Sequence, residues 1–270
     1  MEKVSNSGII VPSQLFYILF VSRLFSLLLS SGSVLNLAVK VLLSFLLCFL
    51  AYIVGKADVR RIRYLLYGLS AAVIIAGVIE YIAFLSKETQ PDVPHWAVVL
   101  LLAIAVFYAA RLGIQPLARF SAFCMVLLVI GLLLVVISNL KGVHLYHLKA
   151  TDTEIKIVWY EWISLLDLPL LYLLLQRRCN DRTDKPLFWS VTSAGVAALL
   201  IYSLCLAVMG TAVRHYDYPV FHLFQLAGIG SFTRLDIFMT GNELLGLFLQ
   251  SAVLISAAAT MEKERKREKN

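Results

Sequence analysis

Arg23 and Asp167 each sit near the middle of a long apolar run, where a lone charge is expensive and tends to face the interior of a helix bundle. Their depths match, near the midplane of a bilayer. Two opposite charges at one depth on different helices invite either a direct pair or a shared ligand or ion. Pro169, two residues after Asp167, lacks a backbone donor and frees a carbonyl one turn back, which predicts a kink or break beside the carboxylate. A second polar group lies nearer one membrane face. It comprises Glu80, Lys40 at about the same depth, and Glu161 and Glu243 near the ends of their runs. Three carboxylates and one ammonium could line an outer vestibule suited to cationic or zwitterionic solutes, or could reach individually toward the headgroups.

The elements that must carry these residues are eight apolar runs, at about 14–31, 34–54, 64–85, 96–110, 120–140, 158–176, 187–210 and 237–258. A hydrocarbon core about 30 Å thick takes roughly 20 helical residues, and lipid tolerates no unpaired backbone, so the runs are expected to be helices. With 60% hydrophobic and 15% charged residues and a mean hydropathy of +0.82, the chain lies far outside the soluble norm. The expected fold class is an all-α polytopic membrane protein with eight transmembrane helices forming a single domain over residues 1–270.

Of the 24 Lys and Arg residues, sixteen fall in alternate connections that include both termini, six in the others, and Arg23 and Lys40 within spans. Positive residues concentrate on the cytoplasmic side, so both termini are expected there. The pI near 9.2 then reflects loops that attract anionic lipid, and nucleic acid need not be invoked. Residues 259–270 read as a basic cytoplasmic tail, solvated or extending the last helix. The start of the chain lacks a basic n-region and a small-residue cleavage site, so the first span is expected to be retained.

Catalytic and metal chemistry find little support. His144 and His147, with Asp152 and Glu154 nearby, are a weak metal signal without further ligands on a fixed helix. No nucleophile–base arrangement, phosphate loop or Cys-x-x-Cys pair is present, so neither enzyme activity nor a cofactor is expected. Cys48, Cys124 and Cys205 lie in spans and Cys179 in a loop, none placed for a bridge.

From about Trp96 onward the chain resembles the spore-germination permease family, the membrane B subunits of nutrient germinant receptors within the amino acid–polyamine–organocation transporter superfamily. The stretch from Tyr108 to Arg119, with Arg111, Gly113, Gln115 and Arg119, looks like that family's signature after the fourth helix. Gly210, then Tyr218-Pro219, then Gly228 through Arg234 to Asp236 look like its later signature. Near the start, Gln14-Leu15-Phe16 and Ser22-Arg23-Leu24 look faintly like its first helix. The resemblance implies an inverted repeat of five plus five helices, with an amino-acid-sized pocket between broken helices one and six. Arg23, Asp167 and Pro169 would line that pocket, with Asp167 near the acidic position of the family's Gly-Phe-Glu segment. The segment 211–236 would be an extracellular lid.

Three features depart from the family pattern. Gln115 stands where the family has Glu, the first span has no glycine before Gly32, and eight spans are present where the family has ten. A receptor or accessory subunit tolerates a shortened repeat better than a pump does. The expected protein is therefore a permease-like germinant-receptor subunit of a bacterial cell or spore inner membrane. It would sense a small amino-acid-like nutrient beside A-type and C-type subunits. The alternatives are an amino-acid or small-solute transporter of the same superfamily and a degenerate structural membrane subunit.

Overall fold

The computed structural model describes residues 10–29, 33–56, 62–88, 94–149, 158–179, 183–227 and 235–269. Ten α-helices are described: α1 (Pro12–Leu28), α2 (Val34–Gly55), α3 (Arg63–Glu88), α4 (His95–Leu112), α5 (Ile114–Asn139), α6 (Trp159–Ser164), α7 (Asp167–Leu175), α8 (Asp184–Met209), α9 (Pro219–Leu226) and α10 (Asp236–Lys269). Six of them, α2, α3, α4, α5, α8 and α10, are long and apolar enough to cross a membrane. The other two apolar runs of the sequence are the 17-residue α1 and the interrupted pair α6–α7. The chain is an all-α polytopic membrane protein.

Lipid inverts the usual helix pattern, because the outside is apolar and the inside takes whatever polar groups exist. On α2 the polar residues Asn36, Lys40, Ser44 and Cys48 recur every four positions, and all are buried, while Leu42, Leu46, Phe49 and Leu50 are exposed. A spacing of four puts them on one face. Helix α4 buries only a narrow line, Leu102, Val106 and Ala109, and exposes Leu100, Leu101, Ile104 and Phe107 toward the lipid. Helices α1 and α7 are the opposite extreme: every residue of α7 is buried, as is most of α1. These two form the axis, with α5, α8 and α10 packed around α1 and α2, α3 and α10 packed against α7. The approach is close where glycine permits it, since a side chain at Gly246 of α10 would run into the Phe25 ring of α1.

Four boundaries refine the reading of the sequence. The run 158–176 is cut in two, with Leu165 and Leu166 between α6 and α7. Pro169 is the third residue of α7, so its ring bars the carbonyl of Leu165 from an intrahelical bond, and its missing N–H falls in a first turn where none is needed. Helix α1, in contrast, is continuous from Pro12 to Leu28, which corrects the broken first helix that the family resemblance implied. No glycine or proline interrupts it between Ser13 and Leu28. The connection expected at 111–119 is helical on both sides of Gly113. The basic tail is the end of α10, which continues as helix to Lys269.

Among the described residues, the positive φ values are Gly113 at 92° and Gly210 at 59°. Gly113 turns α4 directly into α5, and Gly210 ends α8. A β-carbon at Gly113 would meet nothing within 4 Å, so a substitution there tests backbone conformation alone. Gly113→Ala is expected to destabilise the protein by about 1–3 kcal/mol, read as a lower melting temperature in detergent. An unchanged melting temperature would show that the turn does not need the glycine.

Candidate ligand site at a helix break

The break between α6 and α7 presents Asp167 as the first residue of α7. Its carboxylate is fixed from three sides. Oδ1 accepts from the Leu168 amide at 2.5 Å, Oδ2 accepts from Ser22 Oγ of α1 at 3.0 Å, and Arg23 Nη1 lies 3.7 Å from Oδ1. Arg23 and Asp167 are 1% and 0% exposed, so neither charge reaches water. The structure thus brings together the two midplane charges read from the sequence.

The guanidinium is only partly satisfied. Nη2 donates to Ser44 Oγ and, at 3.4 Å, to the carbonyl of Lys40, both on α2. Nε and Nη1 are buried and donate no hydrogen bond. A guanidinium with Nη2 engaged and Nε and Nη1 still open as donors, beside a carboxylate at a helix terminus, can take a carboxylate oxygen on Arg23 and an ammonium near Asp167.

The second polar group read from the sequence is continuous with this pair. Lys40 Nζ pairs with Glu161 Oε2, joining α2 to α6, and Ser26 Oγ meets Ser164 Oγ at 3.1 Å, joining α1 to α6. Glu80 of α3 lies within electrostatic reach of Glu161, Lys40, Asp167 and Arg23, and Glu243 of α10 within reach of Glu80. Lys40, Glu80, Glu161 and Glu243 are all buried, so the alternative in which each reaches separately for the headgroups does not describe them. Oε1 of Glu80 and Oε1 of Glu243 have no hydrogen-bond partner. Two cations, Arg23 and Lys40, therefore face four carboxyl groups, Glu80, Glu161, Asp167 and Glu243.

Aromatic residues roof this cluster. The hydroxyls of Tyr218 and Tyr160 share a hydrogen bond, and the Phe84 ring of α3 packs edge-on against Tyr218 at 5.3 Å and Phe221 at 5.1 Å. Pro219 starts α9, the short buried helix within the segment expected to be a lid. That segment is joined to α3 by Lys87–Asp217 at 2.8 Å and Glu88–His222 at 3.1 Å.

The remaining residues singled out by sequence lie elsewhere. Arg111 and Arg119 are exposed and Gln115 half-buried, all flanking the Gly113 turn. Asp236 opens α10 and is buried, whereas Arg234 with the stretch 228–233 lies outside the described residues. His147 Nδ1 contacts the Ala207 carbonyl at 3.1 Å and its ring packs on Gly210, so it anchors a loop; Asp152 and Glu154 also lie outside the described residues. Sequence reasoning passed over Ser22, Ser44 and Tyr160. Ser44 carried a usable signal, one turn beyond Lys40 on the polar stripe of α2.

Breaking a buried pair by removing one partner costs about 3–5 kcal/mol. Arg23→Ala is therefore expected to lower folding stability by that order, and Arg23→Ala with Asp167→Ala to regain most of it. Unfolding in detergent measures both. A double variant as unstable as the sum of the singles would rule out direct coupling.

Comparison with protein-family models matches residues 61–264 to the Spore_permease family, described as spore germination protein. The match starts well before Trp96, includes both signature stretches, and carries Glu80, Glu161, Asp167 and Glu243; Arg23 and Lys40 precede it. Among curated proteins, none matches the chain. With the family match spanning most of its length, the chain belongs to the spore germination permease family and is an integral protein of the bacterial inner membrane.

Proposed function

We propose that this permease-like protein senses a small amino-acid-like nutrient at the α6–α7 break and reports it to A-type and C-type germinant-receptor subunits. The observation that carries this reading is the buried guanidinium of Arg23, whose Nε and Nη1 have no hydrogen-bond partner beside the Asp167 carboxylate. A zwitterion entering here gives its carboxylate to the open donors of Arg23 and its ammonium to Asp167. It replaces a loose 3.7 Å pair by two charge-assisted contacts. The same exchange loosens α7 from α1 and changes how the buried charges on α2, α3 and α6 are balanced. Binding is the role of these side chains, and none is placed to act on a bond.

Sensing requires only that the ligand favour one conformation over another. Transport requires that the site open alternately to both faces, and it is the second reading, favoured by the permease character of the family. Gln115, uncharged where the family carries Glu, supports the sensing reading.

Reconstituted alone in liposomes, the protein is expected to accumulate no labelled amino acid under an ion gradient. Its deletion from a spore former should delay nutrient-triggered germination and leave non-nutrient triggers intact. Gradient-driven uptake by the purified protein would overturn sensing in favour of transport.

The orientation carries its own test. Single cysteines at positions 148 and 217 should react with an impermeant reagent from outside, and one at 183 only from inside. Reaction of position 183 from outside would invert the topology.

A further inference from the structure

At the opposite end of α7 from Asp167, a polar cavity of about 430 Å³ opens between the ends of α2 and α7 and the start of α8. Lys56 and Tyr52 come from α2, Tyr172 and Gln176 from the last turn of α7 and the residue after it, and Thr183 and Asp184 from the start of α8. Tyr172 lies within electrostatic reach of Tyr52, Asp184 and Lys56 together, so these groups converge.

The lining is held open by its own contacts. The Tyr172 hydroxyl meets Thr183 Oγ1 at 3.2 Å, which ties α7 to α8. The Lys56 ammonium stands over the Tyr52 ring, 4.4 Å from its centroid. The Gln176 carboxamide lies flat against Gly55, where any side chain would displace it, and its Nε2 is buried without a hydrogen-bond partner. Among the described residues, Lys56 and Asp184 form no ion pair with each other.

A cavity walled by one ammonium, one carboxylate, an unused amide donor and aromatic faces selects by charge pattern. A simple anion suits Lys56 and Gln176 and is repelled by Asp184; a simple cation suits Asp184 and is repelled by Lys56. A small group carrying both charges satisfies every wall, with its anionic oxygen on Lys56 and Gln176 and its ammonium on Asp184 and a tyrosine face.

We infer that this cavity is a second binding site, separate from the Arg23–Asp167 break, for a zwitterion that pairs an ammonium with an anionic oxygen a few atoms away. Two sources supply that chemistry at the end of the bundle assigned to the cytoplasm: the headgroup of phosphatidylethanolamine and a free amino acid. Either occupant clamps α7 to α2 and α8.

Melting temperatures in nanodiscs test the site. Phosphatidylglycerol discs doped with phosphatidylethanolamine probe the lipid source. Undoped discs with added glycine probe the free source, and undoped discs with inorganic phosphate control for plain anion binding. A rise with phosphatidylethanolamine alone identifies the lipid, and a rise with glycine identifies the free zwitterion. In either case Lys56→Gln and Asp184→Asn should each abolish the rise, and Lys56→Arg should restore it. Because the variants leave Arg23 and Asp167 intact, a glycine effect that persists in them arises at the helix break and overturns the second site. No rise with either zwitterion, or an equal rise with inorganic phosphate, overturns it as well.

Discussion

The burial of Arg23 against Asp167 is the constraint on which the other interactions depend. Two full charges removed from water must be compensated locally, and lipid offers nothing. Compensation recruits Ser22 from α1, the Leu168 amide from α7, and Ser44 with the Lys40 carbonyl from α2. Each recruit fixes a helix: α2 must turn its polar stripe inward, α1 must approach side-on, and α7 must begin at residue 167. Lys40 then follows, because the face of α2 that delivers Ser44 also delivers Lys40 four residues earlier, and its ammonium meets Glu161 on α6. A single desolvated pair thereby sets the rotation of three helices.

Much of this was legible in the sequence because a bilayer simplifies the reading. Long apolar runs give helices almost by necessity, and a charge within one must turn inward, so Arg23 and Asp167 could be matched by depth alone. Pro169 likewise marked the break, since a proline's effect on the preceding turn is local. What escaped was tertiary. The partners of a buried charge are set by helix rotation and spacing, and a serine in a span looks the same whether it bonds its own helix, as Ser70 does, or a distant carboxylate, as Ser22 does.

The cluster around Lys40 and Glu161 shows the same limit from the other side. Depth placed Lys40, Glu80, Glu161 and Glu243 at one level but could not say whether they faced lipid, water or each other. In the structure, α9 and the Tyr218–Phe84–Phe221 contacts close over them, and that small buried helix gave only a faint signal in a segment expected to be a lid. The continuity of α1 was foreshadowed by its lack of glycine. The implied break came from likeness to the family, and local composition was the better guide.

Helix α7 is nine residues long and buried on every side, tied to α1 through Ser22–Asp167 and to α8 through Tyr172–Thr183. A segment with no exposed face cannot roll about its axis without driving leucines through their neighbours, and it is too short to bend. The same interlocked leucines, with ties to α1 at one end and α8 at the other, hold it as a short rigid rod. The Asp167 end and the Tyr172–Gln176 end are therefore two faces of one packed unit, with no flexible joint between them.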